Sequence, residues 1–343
     1  MKQSAQQSSN SVRSTICVLF PGALGDFICF LPTLETLVRD ADVDLFARRE
    51  FADIVPPGVR VRSLDCREIS QLFVAYRCEE QRLRDFFGVY ASVYSWLGSQ
   101  QRGFVQCLDS FSRGKAEIFR LRANDSGTHQ IDYYLNCIGR DDAVSCEPAV
   151  VLRPEGAAWC ADFWRRHRLH VRPVLVIAPG SGTREKNWPE AFFIEVVEWW
   201  RKSIRGVAVL LTGPVEDERG GTERLGRSCL VANGLILSQA LALLGRCELY
   251  LGNDSGITHL AAASGTRTVA LFGPSNVRQW SPRGKRVTIV SRSIGCSPCQ
   301  VSTMKSCPHR ACLAELHPTD VIGLIATLPE VVTLTRIGAG TKV

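Results

Sequence analysis

No apolar run in this 343-residue sequence approaches the length needed to cross a bilayer, so it offers no candidate membrane-spanning helix. The Ser- and Gln-rich start has no hydrophobic signal core, and the expected compartment is therefore the cytoplasm. Residues 1–14 are polar throughout and are expected to form a disordered tail. A long basic tract is also missing, as is any nucleic-acid-binding motif, which leaves nucleic acid a poor partner. The dinucleotide fingerprint G-x-G-x-x-G, with an acidic residue ending the second strand, is absent too. Gly22 and Gly25 are the only glycines of the first turn, and Arg48-Arg49 stand where the acid would be, which argues against a nicotinamide dehydrogenase.

What is present reads as an ordinary globular protein, 45% hydrophobic and 22% charged, and long enough for two domains of roughly 150 residues each. The formal charge of +7 favours anionic partners such as nucleotides, phosphorylated glycolipids and the anionic face of a membrane. Of the 14 cysteines, Cys17, Cys29, Cys107, Cys137 and Cys247 sit inside apolar runs, where a thiol acts as a small hydrophobe.

The chain opens with an apolar run, Ile16 to Phe20, then a glycine turn and a helical pattern to about Arg39 with Ile28, Leu31, Leu34 and Leu37 on one face. Strands are expected near Val43–Ala47, Val59–Val61 and Tyr90–Trp96, and residues 97–145 read as irregular loops and helices. A helix over 154–170 leads to a new start at Pro173. Strands then follow at Val174–Ala178, Val207–Leu211, Leu235–Leu237, Glu248–Leu251 and Thr268–Phe272, with helices between them and an edge strand at Arg286–Val290. Such alternation demands right-handed parallel crossovers. The expected fold is α/β, two Rossmann-like doubly wound domains facing across a cleft, with ligands at the carboxyl ends of the strands. The N-terminal domain is expected over 15–165 and the C-terminal domain over 166–343, its last helix packing back on the N-terminal one.

Four polar motifs fall at those strand ends. Gly252-Asn253-Asp254-Ser255-Gly256-Ile257-Thr258-His259 opens a helix with Asp254 near the N-cap, and the free amides of a first turn suit a diphosphate. A capping Asp and a surface His would explain part of it, but not the density of polar groups. In Pro179-Gly180-Ser181-Gly182-Thr183-Arg184-Glu185-Lys186, small residues free the backbone, Ser181 and Thr183 add hydroxyls, and Lys186 supplies a point charge for phosphate. Within Gly213-Pro214-Val215-Glu216, Glu216 is the candidate for ribose hydroxyls, while Asp217 and Glu218 suit the helix dipole. Gly22-Ala23-Leu24-Gly25-Asp26 puts a carboxylate at the first strand–helix turn. Asp26 is thus a candidate general base, although an acid at a helix start also serves the dipole.

Together these motifs resemble glycosyltransferase family nine, the lipopolysaccharide heptosyltransferases, over about residues 16–325. The resemblance implies a GT-B type fold and an inverting, metal-independent transfer from a nucleotide-sugar such as ADP-heptose, with no further cofactor. It implies that Asp26 is the base, that Ser181, Gly182, Thr183, Lys186, Asp254, Ser255, Gly256 and His259 hold the donor's diphosphate, and that Glu216 holds its ribose. The donor would belong to the C-terminal domain. The acceptor, a lipopolysaccharide-core-like or other anionic glycan or glycolipid, would belong to the N-terminal one, whose Arg-rich middle departs from the best-known members. No acceptor-binding residue can be named. An acceptor of that kind implies peripheral contact with the inner face of the cytoplasmic membrane. A sugar-nucleotide epimerase of the same architecture and a non-catalytic nucleotide-sugar-binding member are the alternatives.

Cys296, Cys299, Cys307 and Cys312 have the number of thiols that closes a tetrahedral zinc site, but not the intervals of a zinc ribbon. Similar Cys-rich segments occur at this place in the family without a metal needed for transfer, so reduced loop cysteines and no metal are the expectation.

Overall fold

A computed structural model describes residues 13–74, 79–124, 127–140 and 146–340, so the expected tail lies outside the described residues except for Arg13 and Ser14. The central strands follow from short runs of β-branched and aliphatic residues, buried on both faces as a parallel sheet flanked by helices requires. The first sheet has five strands: β1 (Thr15–Leu19), β2 (Asp42–Ala47), β3 (Val59–Ser63), β4 (Val93–Ser95) and β5 (Ala116–Ile118). Its order is β3-β2-β1-β4-β5, with every pair parallel. Cys17, Leu19, Phe46, Phe87, Val93 and Phe104 form part of its core.

The second sheet has six: β6 (Val174–Ala178), β7 (Val207–Thr212), β8 (Leu230–Asn233), β9 (Leu249–Asn253), β10 (Thr268–Phe272) and β11 (Val287–Ser291). They run parallel in the order β11-β10-β9-β6-β7-β8. This order reverses between β6 and β9. Crossovers leaving those neighbours go to opposite sides, and the loops at their carboxyl ends open a crevice. Trp188, Phe193, Trp200, Leu249 and Leu271 lie in the core beneath.

Several boundaries differ from the sequence expectation. The strand expected at Leu235–Leu237 is β8, at Leu230–Asn233, because Gly234 takes a left-handed turn (φ +65°) and Leu237 already begins a helix to Arg246. The stretch read as irregular loops and helices holds two helices, Arg102–Phe111 and Gln130–Cys137, and also the unexpected strand β5. Phe104, Leu108 and Phe111 bury one face of the former at helical spacing. The helix that begins the expected exit from the first domain, Pro154–Arg166, packs on Leu237–Arg246, and Cys160 Sγ donates to the Ala242 carbonyl at 3.3 Å.

By contacts the described residues form two compact units, one of those up to 21 with 34–49 and those within 56–121, the other of 22–33, 50–55 and those from 122 on. The helix Leu24–Asp40 therefore gives its first turns to the second unit. The last helix begins in the second core through Val331, with Glu330 forked by Arg267 at 2.8 and 3.0 Å. Those guanidinium bonds, with help from Arg286, hold the Glu330 carboxyl down at about 2. Among the described residues no helix is long and apolar enough to cross a membrane.

Candidate functional site

The two central strands of the second sheet end side by side, Ala178 opposite Gly252, so the loops that follow them are neighbours. Asn253 ties those loops together. Its Nδ2 donates to the Pro179 carbonyl at 2.6 Å, and its Oδ1 accepts the Trp188 amide at 3.0 Å. Ser181 is turned inward, its Oγ 2.6 Å from the Thr183 carbonyl and 2.7 Å from Asn187 Oδ1, so this hydroxyl builds the loop. The Thr183 carbonyl also accepts the Lys186 amide in the short 3-10 turn Arg184–Lys186, and Gly182 faces open space. Lys186 Nζ then reaches Asp254 Oδ2 at 2.7 Å.

Asp254 lies beside the N-cap of the following helix, Gly256–Ala263. The cap is Ser255, which accepts the Thr258 amide, while Thr258 Oγ1 bonds the Asn253 carbonyl and the Tyr250 hydroxyl. The helix start is thereby fixed from below, and its amides point out of the sheet end.

Glycine is required where this helix meets the helix Leu24–Asp40. A Cβ on Gly256 would lie 2.7 Å from Leu24 Cβ and 2.9 Å from the Gly25 amide, and one on Gly25 would touch Gly256 and His259 at 3.5 Å. Two helix N-termini, both positive ends of backbone dipoles, are therefore packed against each other. Gly256→Ala should force them apart and cost roughly 1–3 kcal/mol of stability, read as a lowered melting temperature, whereas Gly182→Ala should leave it unchanged.

Asp26, 4% exposed, sits in the first turn of Leu24–Asp40, its Oδ2 accepting the Ala23 amide at 3.2 Å. Arg122 forks it, Nε to Oδ1 at 3.2 Å and Nη2 to Oδ2 at 3.3 Å, and stacks over the Trp280 ring at 5.2 Å. Sequence reasoning missed both partners. Arg122 was one arginine of an Arg-rich stretch, and nothing in the pattern paired it with residue 26.

Glu216 lies against the loop that follows β6. Its Oε2 accepts the Gly213 amide at 2.8 Å as a capping box, and its carboxylate rests against Gly180. It lines a cavity of about 330 Å³ with Gly180, Arg184, Trp188 and Arg219, large enough for a nucleoside.

His259 is buried, and Cys29 Sγ lies 3.7 Å from its Nδ1. Burial pushes its pKa below the usual range, against the pull of Asp254 and Asp26, so the ring is neutral. His129 shows the same effect more strongly. Its Nδ1 accepts the Ile131 amide at 3.2 Å and its Nε2 donates to the Ser281 carbonyl at 2.8 Å, so a second ring proton would face an amide. Burial sets its pKa near 4. The unfolded chain, titrating near 6.5, then binds the extra proton first. Stability should thus be full above about pH 6.5 and fall by up to about 3 kcal/mol on acidification towards pH 4. Melting curves across that range check this, and His129→Asn should flatten them.

The four C-terminal thiols line one small cavity with Met304 and His309. Among the described residues no group of three or more His, Cys, Asp or Glu side chains stands where it could hold a metal ion. Burial raises the pKa of Cys299 and Cys312, with neighbouring thiols adding to it.

Residues 152–308, which carry the loops that hold Lys186, Glu216 and Asp254, match the family model of glycosyltransferase family 9 (heptosyltransferase). Lipooligosaccharide heptosyltransferase 2 of Campylobacter jejuni serotype O:6 is 36% identical over 170 residues, 46% of this chain and 52% of that protein. The chain thus matches about half the length of its curated relatives. Among solved structures, a family 9 glycosyltransferase from Veillonella parvula superposes with a TM-score of 0.71 at 20% identity, covering 94% of this chain and 98% of that one. Escherichia coli ADP-heptose lps heptosyltransferase II gives 0.65 at 18%, covering 95% and 100%. Those likenesses identify the fold as GT-B, two parallel-sheet α/β domains.

Proposed function

We propose that the protein is an inverting glycosyltransferase moving heptose from an ADP-linked donor to a lipopolysaccharide-core-like acceptor, with Asp26 as general base. The observation that carries this reading is the glycine-to-glycine contact of the two helix starts, which gathers Asp26, the Lys186–Asp254 pair and His259 around one spot.

In this reading the diphosphate lies against the start of Gly256–Ala263, with Lys186 and the His259 ring beside it and the nucleoside towards Glu216 and Arg219. The acceptor hydroxyl oxygen attacks the anomeric carbon as the bond to the diphosphate oxygen breaks, which inverts the centre. Asp26 takes the hydroxyl proton, and the nucleoside diphosphate leaves with the bonding electrons. Charge growing on the leaving group meets Lys186 and two helix dipoles, so no metal ion is invoked for the transfer. Arg122 holds the Asp26 carboxylate in place until the acceptor hydroxyl replaces one of its bonds. Donor binding by the C-terminal domain (166–343), acceptor binding by the N-terminal domain (15–165) and work at the inner membrane face are parts of the same reading. The chain's net charge of +7 supports the last of these.

The test is release of ADP from ADP-heptose with and without a heptose-free core glycolipid. Acceptor-dependent release is expected. Change of the sugar without acceptor would indicate an epimerase, and a thermal shift without turnover a binding module.

A further inference from the structure

The Cys29 thiol is fully buried, one helical turn after Asp26. Two other buried cysteines of this unit turn to backbone, Cys160 to the Ala242 carbonyl and Cys247 to that of Leu244. Cys29 does not. Its one hydrogen-bond partner among the described residues is His259 Nδ1. The ring is equally constrained. It is 4% exposed, and its Nε2 makes no hydrogen bond among the described residues. An imidazole held neutral has one proton to place, and the partner of one nitrogen decides which nitrogen carries it.

We propose that Cys29 is a positioning residue, whose thiol donates to His259 Nδ1 and holds the ring proton on Nε2, the nitrogen left for the donor's diphosphate. Burial raises the thiol pKa, so the sulfur keeps its proton and has it to give. With the proton on Nε2 the ring donates to an anionic oxygen. With the proton on Nδ1 it would turn a lone pair towards that oxygen, and a bond would become a repulsion. Metal-bound and catalytic histidines are oriented by the same logic, usually through a carboxylate or carbonyl. Here a thiol takes the part, which suits a spot where Asp26, Asp254 and an incoming diphosphate already supply negative charge. The consequence for transfer rests on the proposed function, whereas the assignment of the proton does not.

The experiment is side-chain 15N–1H correlation NMR of the full chain labelled at histidine, with His259→Asn to assign the ring, alongside kinetics of three forms. The wild type and Cys29→Ser, which keeps a donor, should show His259 protonated at Nε2. Cys29→Ala should show a mixture of tautomers, with kcat about tenfold lower, donor KM within about twofold and an unchanged melting temperature. Cys29→Ser should recover most of that rate. A wild-type ring protonated at Nδ1, or a Cys29→Ala ring identical to the wild type, overturns the proposal. If no form transfers sugar, the function assigned above fails, while the spectra still decide the tautomer.

Discussion

Asp26→Asn should lower turnover by at least about 100-fold while nucleotide affinity stays within a few-fold. The substitution keeps the shape and the bond from the Ala23 amide, but an amide cannot take the acceptor's proton. It also leaves Arg122 without the carboxylate it forks, while its stack over Trp280 remains. The carboxylate is nearly buried, and no other described acid lies in that first turn to replace it. Steady-state kinetics with calorimetry of ADP binding separate the two effects. Wild-type turnover in this variant would remove Asp26 from the chemistry, and loss of ADP affinity equal to the loss of rate would make it a binding residue.

The second large effect is expected at Lys186. Lys186→Ala should weaken ADP binding by about 10- to 100-fold, with the greater loss in affinity and the smaller in kcat. Two terms act in the same direction. The contact between ammonium and phosphate goes, and Asp254, whose carboxylate is 8% exposed and paired with Lys186 at 2.7 Å, becomes an uncompensated anion beside an anionic ligand. The double variant Lys186→Ala with Asp254→Asn should therefore bind ADP more tightly than Lys186→Ala alone. An equal or weaker double variant would mean that the pair stabilises the loop without touching the ligand.

Much of the fold was legible because parallel strands buried on both faces read as unbroken apolar runs, and glycine turns punctuate them. Val174–Ala178 and Thr268–Phe272 are placed to the residue. β8 was misplaced because Leu235–Leu237 is as apolar as Leu230–Ala232, and only the left-handed Gly234 decides between them. The 97–145 stretch was opaque because β5 is three residues long and Arg-rich sequence surrounds it. At the site, the polar motifs named most of the groups that converge, since each lies just after a strand. What the motifs could not give is which side chains are engaged with each other. Ser181 turns into its own loop, Ser255 caps the helix, and Glu216 closes a capping box. Arg122 and Cys29 were invisible as partners because 96 and 230 residues separate them from Asp26 and His259. Pairings at such distances follow from the packing of Gly25 on Gly256, which no local pattern records.

The measurement that bears most directly on all of this is a crystal structure of the protein with ADP-heptose bound. The diphosphate should lie on the amides that open Gly256–Ala263, within hydrogen-bond reach of Lys186 Nζ and His259 Nε2, with the anomeric carbon turned towards Asp26. A diphosphate bound away from Lys186, or a sugar directed away from Asp26, would contradict the account.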